Sequence, residues 1–529
     1  MTDNNNTRID PKDQRAVRIS KMEKLRAEGI DPYPPRIGEG RVTISGVLDD
    51  WDNLKQQLDD EHNVTKSGAI VRLAGRITAI RTHGKSIFLS IADGTGDFQL
   101  YIRKDIVADE SFERANELDL GDFISAEGEL FTTRTGEPTL LVQDWKIICK
   151  ALLPLPEKYH GLTDPDLRLR QRYLDLLVNP EVRSNFLKRA LIIKTIRKYL
   201  ESEGYIELET PALTPLYGGA AAKPFTTHHN TLDMDLYLRI ATELYLKRLI
   251  VGGFERVYEI GKVFRNEGID RDHNPEFTLL ELYEAYADYN RMMEIAEGIL
   301  IACANDTARF VNDNIEKNAA GDDEAPYIVN KGDTVQLNYE GHALNIKPPF
   351  PRVRFLDIVK EKSGIDVMSA TREELAKFFE DKGIDYDKKA PYWPLVDKLF
   401  SELVEPTLIE PTFVVDYPVG LSPLAKRKPD EPELTERFEL FILGKEIANA
   451  FSELNDPLDQ RKRMEAQIAQ RAMGDEEAPN VLDEDFLTAL EHGMPPTGGM
   501  GIGIGRLVTI LAGAHALKEV VPFPLMRPI

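Results

Sequence analysis

ERVYEIGKVFRNEGIDRDHNPEFTLLELYEAYADY, residues 255–289, predicts two strands, Val257 to Arg265 and Glu276 to Tyr286, joined by a loop too polar to be buried. Side chains alternate across a strand, so Phe277, Leu279, Glu281 and Tyr283 share one face. An aromatic ring, a carboxylate and a phenol looking the same way suit a ligand better than a core. Arg265 closes the first strand with a planar fork of donors, and Glu267, Arg271 and His273 stand in the loop. A phosphate-bearing molecule fits between such a loop and the sheet. The same residues would also make a salt-bridged hairpin without a ligand, and the rest of the chain tips the balance.

The run FRNEGIDRDHNPEF followed by ELYEAYADY resembles the second signature motif of the class II aminoacyl-tRNA synthetases, in the form carried by their lysyl members. The resemblance extends from about the first helix to the C-terminus and weakens between Asn305 and Pro351. It implies an α+β protein: an N-terminal OB-fold β-barrel plus a class II antiparallel sheet flanked by helices. It further implies attachment of L-lysine to tRNA(Lys) through a lysyl adenylate, with ATP as second substrate, magnesium beside it, and a homodimer as the working unit. In this motif the family would use Arg265 for the lysine carboxylate and α-phosphate, His273 for the outer phosphates, and Phe277 against adenine. Glu267 and Asn274 would also serve ATP, and Glu281 and Tyr283 would face lysine.

A chain of 529 residues exceeds one domain, and 42% hydrophobic residues suffice for real cores. The start, MTDNNNTRIDPKD, has no apolar signal core, and no run approaches the ~18 apolar residues of a membrane span, so a cytoplasmic protein without a membrane partner is expected. Cys149 and Cys303 lie far apart without CxxC spacing, which favours packing over a disulfide or a zinc site. Lys+Arg of 66 against Asp+Glu of 89 gives a net charge of -23, so bulk charge will not draw nucleic acid and any RNA contact is local. One segment is basic and periodic: Ala16, Val17, Ile19, Met22 and Leu25 at helical spacing, ringed by Arg15, Arg18, Lys21, Lys24 and Arg26 and stopped by Gly29. It reads either as a helix packed on the next domain or as one touching the tRNA backbone.

From Ala69 to Lys150 the pattern is of strands: AIVRLAGRITAIR, SIFLSIADG, DFQLYIR, FISAEGELF and PTLLVQDWKII, with a short helical piece between the third and fourth. Five strands and a helix fit a small OB barrel. Ile87, Leu89 and Ile91 point in and leave Phe88 out; Phe98, Leu100 and Ile102 point in and leave Gln99, Tyr101 and Arg103 out. An outward aromatic beside an amide suits stacking on, and reading, an unpaired base. A covered Phe88 is the plain alternative. In the family this barrel reads the anticodon, and Phe88, Gln99 and Glu137 are the matching residues.

Beyond the barrel, KYHGLTDPDLRLRQRYLDLL from Lys158 is expected to bridge two domains. Helical spacing resumes at Phe186, Ala190, Ile193, Ile196 and Leu200, followed by EGYIELETPAL, which resembles the first class II motif and its dimer contact. GGAAAKPF from Gly218 gives bare backbone, useful where an amino acid approaches the main chain, with Gly219 as the matching lysine-site residue. YLRIATELYLKRL predicts a helix; resemblance gives Glu243 to the α-amino group, with Thr242 where the family usually has Pro. Asn305 to Pro351 reads as a polar insertion of unknown purpose.

In RFELFILGKEIANAFSELNDP the spacing of Glu439 and Glu446 does not decide whether they meet; the resemblance makes them magnesium ligands, as hard oxygen donors suit. Asn449, Phe451 and Glu453 alternate onto one strand face, and the resemblance makes them lysine contacts. PPTGGMGIGIGRLVTIL has alternating glycines on which a nucleotide can lie, and neither a GKS/GKT loop nor a dinucleotide motif. It resembles the third class II motif, with Arg506 on the outer phosphates and Gly505 where the family carries Asp, a loss of polar support beside Arg506.

The expected organisation is a helical extension over 1–65, an OB domain over 66–152, a linker over 153–180, and a class II domain over 181–529 with an insertion at about 305–351. Three rivals remain at this level: a lysine-adding paralogue acting on protein, an aspartyl or asparaginyl synthetase, and an RNA-binding regulator with an inactive synthetase domain.

Overall fold

Alternating apolar residues, interrupted by bulges in the longer strands, close a five-stranded barrel: β1 (Ile70–His83), β2 (Ser86–Ala92), β3 (Asp97–Arg103), β4 (Phe123–Thr132) and β5 (Pro138–Cys149), in the order β1-β2-β3-β5-β4. Ile87, Leu89, Ile91, Phe98, Leu100 and Ile102 all fill its interior. The computed structural model describes residues 13–59, 63–156, 162–220, 222–314, 327–331, 334–472 and 481–528. It separates into two units, with the boundary between Gly161 and Leu162. The polar N-terminal residues 1–12 and the start of the expected bridge, 157–161, lie outside the described residues.

The basic helix α1 (Gln14–Ala27) belongs to the barrel unit, capped by Asp13 at its start and followed by Gly29 at φ +76°. Of its two readings the packed helix is the one observed. Arg18 and Met22, not Ile19, are its buried residues, with Arg18 Nη1 donating to the carbonyls of Leu120, Ala151 and Leu153. Lys21 pairs with Asp119 at 2.8 Å and Lys24 with Glu117 at 2.5 Å. Arg18, Lys21 and Lys24 are thus committed to carbonyls and carboxylates, while Arg15 and Arg26 stay exposed.

The second unit is built on eight strands: β6 (Ile206–Glu207), β7 (Arg256–Phe264), β8 (Glu276–Ala285), β9 (Arg352–Arg354), β10 (Thr412–Val415), β11 (Arg437–Ile442), β12 (Lys445–Ser452) and β13 (Thr497–Gly503). Their order is β9-β10-β11-β12-β13-β8-β7-β6, antiparallel except for the outer pairs β9/β10 and β7/β6. On one face Leu280, Leu282, Phe438, Leu440, Ala448, Ala450, Met500 and Ile502 make a core with the helices α2 (Pro180–Ser202), α4 (Tyr289–Asn314) and α5 (Ile504–Ala512). The other face is left for the site.

Several sequence expectations shift here. The buried residues of α2 are Val182, Lys188, Ile192, Thr195, Ile196 and Leu200, where the helix packs on α4 and α5, while Ala190 of the expected stripe is exposed. Residues 165–170 and 172–178, expected as linker, form two short helices anchored by the buried Asp175, which holds Arg168 and Arg172 at 2.7 Å. YLRIATELYLKRL splits: Met234–Leu238 is a strand and only Glu243–Val251, α3, is helix. Within 305–351, residues 315–326 and 332–333 are outside the description, but the rest is no surface excursion. It continues α4 and then forms a three-stranded meander whose Val335, Leu337, Tyr339, Leu344 and Ile346 enter the main core.

Candidate active site

Opposite residues of an antiparallel pair point to the same face, so the register lays side chains in rows across the sheet. One row reads Arg437, Phe451, Gly499, Tyr283; the next reads Glu439, Asn449, Gly501, Glu281. The third glycine, Gly503, stands opposite Leu279. Strand β13 thus brings three glycines to this face while Met500 and Ile502 go to the core, and a trough opens between functional groups on β12 and on β8. A cavity of about 680 Å³ follows it, in the range that accommodates a small-molecule ligand. A side chain at Gly501 or Gly503 would meet nothing closer than 3.9 Å, but a Cβ at Gly499 would lie 2.0 Å from Glu453 Oε1 and 2.4 Å from the Tyr283 ring.

The end of the trough beside Gly499 is acidic and aromatic. Glu453, Glu243, Glu281, Tyr283 and Phe451 gather there, and the first four are buried. Lys247, one turn along α3 from Glu243, is fully buried among them: its ammonium lies 2.5 Å from Glu243, is ion-paired with Glu453, and stands 5.9 and 5.6 Å from the ring centres of Tyr283 and Phe451. Burial would lower the pKa of Lys247, but the charges of Glu243 and Glu453 overcome it and raise it. Burial first, then the Glu243 charge, pushes the Glu281 carboxyl up to about 7, while Thr242 and Arg265 pull it back. Thr242 does so through two bonds to Glu281 Oε2, from its backbone N–H at 3.1 Å and its hydroxyl at 2.6 Å. A proline there could supply neither. Gly219, at φ +85°, closes this end, with Glu243 Cβ 3.2 Å from where its own Cβ would be.

Farther along, Arg265 stands just past β7 with its guanidinium 5.2 Å from the Phe277 ring and its Nε buried without a hydrogen-bond partner. An orphaned cationic donor in a cavity calls for an anion. Asn274 lines the same wall with an unpartnered buried Oδ1, and Glu267 stands in the open loop. His273 bonds Asp270 through Nδ1 at 2.8 Å, which assigns its proton there and leaves Nε2 to accept from Arg506 Nη2 at 3.1 Å. Arg506 Nη1 also donates to the Glu446 carbonyl at 3.0 Å and its carboxylate at 3.3 Å. Arg271 turns away instead, donating to the His515 carbonyl at 2.6 Å and pairing with Glu340 in the meander, so the expected loop clamp loses that member.

A bulge decides what spacing left open for Glu439 and Glu446. Leu440 faces Ala448 but Phe441 faces Glu446, which leaves Ile447 as an extra residue in β12 and brings Glu446 to the cavity wall. Glu439 accepts from Arg437 at 2.5 Å and from the Tyr417 hydroxyl at 2.8 Å. Asn449 ties into the same group, accepting from Arg437 Nε at 3.2 Å and donating to Glu439 at 3.3 Å. Asp397 and Glu405 add two more carboxyls to this wall. Burial and mutual repulsion push Glu439 and Glu405 up to about 7. Such crowded hard-oxygen donors fit a divalent cation. Among the described residues no three ligating side chains converge tightly enough to hold one alone, so the fit is to an ion sharing oxygens with a bound phosphate, the usual habit of magnesium.

On the barrel, Phe88 and Tyr101 stack face to face at 4.4 Å and Phe131 lies 6.3 Å from Tyr101. Gln99 donates to Thr139 at 2.9 Å and accepts from Arg81 at 3.3 Å; Glu137 is exposed in the turn before β5. Arg103 is bound to Asp105 through both Nε and Nη2.

A family model described as tRNA synthetases class II (D, K and N) matches residues 164–527. The chain belongs to that family. A second model, OB-fold nucleic acid binding domain, matches residues 71–148. Among curated proteins this class II synthetase is 48% identical over 517 residues to the lysine–tRNA ligase of Moorella thermoacetica, covering 98% of each chain. It is 49% identical to that of Pelotomaculum thermopropionicum, covering 97% of this chain and 94% of that one, and 47% identical to that of Halalkalibacterium halodurans, covering 97% and 96%.

The trough gathers Arg265, Glu267, His273, Asn274, Phe277, Gly219, Glu243, Glu281, Tyr283, Asn449, Phe451, Glu453, Glu439, Glu446 and Arg506, all read from the sequence as site residues. Sequence reasoning missed Lys247, Arg437, Asp397, Glu405 and the tightness at Gly499. Glu243 and Lys247 are four apart on a helix, a spacing that ordinarily marks a surface ion pair. Arg437 precedes Glu439 on the same strand face and was the one readable signal.

Proposed function

We propose that this synthetase attaches L-lysine to tRNA(Lys) in two steps, forming lysyl adenylate and pyrophosphate from lysine and ATP, then transferring the lysyl group to tRNA with release of AMP. The observation that carries the choice among aspartate, lysine and asparagine is the Gly499 end of the trough. Glu453 and the rings of Tyr283 and Phe451 already surround one ammonium, that of Lys247, and the further carboxylates of Glu243 and Glu281 make the same end fit for a second. An aspartate carboxylate there would meet Glu243, Glu281 and Glu453, and an asparagine amide would leave the charges unmatched.

The lysine carboxylate is ionised at neutral pH and attacks the α-phosphate without a general base. Arg265, with its free Nε, holds carboxylate and α-phosphate together, so the work is orientation and charge neutralisation. Phe277 supports adenine, and Arg506 with His273 takes the outer phosphates. Glu439 and Glu446 would hold magnesium, whose chemistry is to neutralise phosphate charge as pyrophosphate leaves. Glu243 receives the α-ammonium and Glu453 the ε-ammonium.

The outward face of the barrel, Phe88 with Gln99 and Glu137, is assigned to the anticodon. Phe88→Ala is expected to weaken tRNA binding by ~1 to 3 kcal/mol, the range for a base stacked on an aromatic, in a filter-binding titration, with lysine activation intact. Equal loss in both assays makes Phe88 structural. A second copy of the chain is assigned to the apolar residues exposed around the first motif, Tyr173, Leu177, Leu187, Ile206 and Leu213, and light scattering should give a dimer mass. No helix among the described residues is long and apolar enough to cross a membrane. A cytoplasmic address follows from the proposed role in translation.

Pyrophosphate exchange tests the reading: lysine, but neither aspartate nor asparagine, should drive it, and lysine should then appear on tRNA. The pH profile adds a finer test. Glu281, beside Glu243, adds its negative charge to this end only when ionised, and burial raises the Glu453 carboxyl as well, so kcat/KM for lysine should rise with pH through about 7, falling roughly tenfold per unit well below that. Thr242→Val removes the hydroxyl that holds the pKa of Glu281 down and should move this limb to higher pH; an unmoved limb rejects Glu281 as its source.

A further inference from the structure

We propose that Lys247 is a positioning residue for lysine selection, whose ammonium fixes the distance between the carboxylates of Glu243 and Glu453. This deepens the proposed function and rests on it, since those two carboxylates are the ones assigned to the α- and ε-ammonium groups of the substrate.

Three observations carry it. First, Lys247 reaches no solvent, yet it is tied at once to Glu243 Oε1 at 2.5 Å and to Glu453 Oε2. A buried ion pair is weak as a stabiliser, and apolar residues of the same volume often serve the fold as well. A lysine here is better explained by what it does to the two carboxylates. Second, Lys247 approaches Glu453 from α3 and ion-pairs with Oε2, neither Glu453 oxygen has a hydrogen-bond partner in the protein, and Oε1 lies against the bare backbone of Gly499. A buried acceptor left open beside a cavity is an acceptor held for a ligand. The protein's own ammonium thus holds one oxygen and presents the other.

Third, the charges match. Glu243 and Lys247 on α3, Glu281 and the phenol of Tyr283 on β8, Arg265 beyond β7, and Glu453 beyond β12 are the ionisable groups facing one another here. Burial pushes Glu281 up to about 7 and raises Glu453, so it is the fully ionised form that matches lysine: three anions against two cations leave one negative charge for its one net positive charge. A shorter diamine would span the fixed anions less well. Lys247 therefore acts on selectivity, through Glu243 and Glu453, and does not touch the reacting atoms.

Steady-state pyrophosphate exchange with lysine and with ornithine, on the full-length protein, tests it. Lys247→Met should raise the lysine KM by on the order of 100-fold and reduce the preference for lysine over ornithine about tenfold, while the KM for ATP stays within about twofold. Lys247→Arg, which keeps the charge with a longer and wider head, should fold, retain kcat, and also lose preference for lysine. It decides alone if Lys247→Met does not fold. Loss of the same factor for lysine and ornithine in both variants, or an equal rise in the KM for ATP, makes Lys247 merely structural and overturns the inference. Failure of the unaltered protein to exchange with lysine would strike the proposed function instead.

Discussion

Glu453→Gln raises the lysine KM by roughly two to three and a half orders of magnitude and leaves the KM for ATP nearly unchanged. The carboxylate is buried and ion-paired with Lys247 through Oε2, and neither oxygen has a hydrogen-bond partner in the protein. Replacing it by an amide removes the charge that an incoming ε-ammonium must meet, and losing one member of a buried ion pair costs ~3 to 5 kcal/mol. At about 1.4 kcal/mol per factor of ten, that is the stated loss. The ATP wall, with Arg265 and Phe277, is supplied by other strands and keeps its groups. Gly499→Ala should produce the same split by sterics, because its Cβ would fall 2.0 Å from Glu453 Oε1. Exchange rates with lysine varied at fixed ATP, then the reverse, read both constants. An unchanged lysine KM in Glu453→Gln removes Glu453 from lysine recognition. Ornithine, one methylene shorter, should be discriminated by ~10- to 200-fold in the unaltered protein.

Alternation made most of this readable. Phe277, Leu279, Glu281 and Tyr283 line the cavity because a strand has a period of two, and the same rule separates Phe88 and Gln99 from the barrel core. Long-range partners were not readable. Nothing local says that Lys247 meets Glu453, more than 200 positions away, or that Thr242 serves Glu281 on another element. The meander at 334–346 looked like an excursion because a short, half-polar strand is apolar only at alternate positions. Its Val335, Leu337 and Tyr339 gain a core against α4 and the segment after α5, as the bond from the Tyr339 hydroxyl to the Ala514 carbonyl illustrates. Arg271 was misjudged for the same reason, since its acceptors Glu340 and His515 come from those late segments.

Arg506→Ala should lower kcat for lysine-dependent exchange by ~100- to 1000-fold, the loss seen for single preorganised donors to developing charge. The residue beside it needs separate treatment. The resemblance puts Gly505 where the family usually carries Asp, and from sequence that departure leaves Arg506 short of support. In the structure Arg506 is anchored without it, by the carbonyl and carboxylate of Glu446 and by His273. The space a side chain at 505 would need is taken, since a Cβ there would lie 2.4 Å from Leu517 Cδ1 in a buried position. Gly505→Asp is therefore expected to restore nothing and to overpack this corner, costing ~1 to 3 kcal/mol of stability with kcat little changed. Thermal denaturation alongside exchange kinetics separates the two effects. A faster enzyme of undiminished stability would mean that Leu517 yields and that an acid at 505 supports Arg506. No exchange in the unaltered protein, with exchange restored by Gly505→Asp, would instead make this chain an RNA-binding relative with a silenced active site.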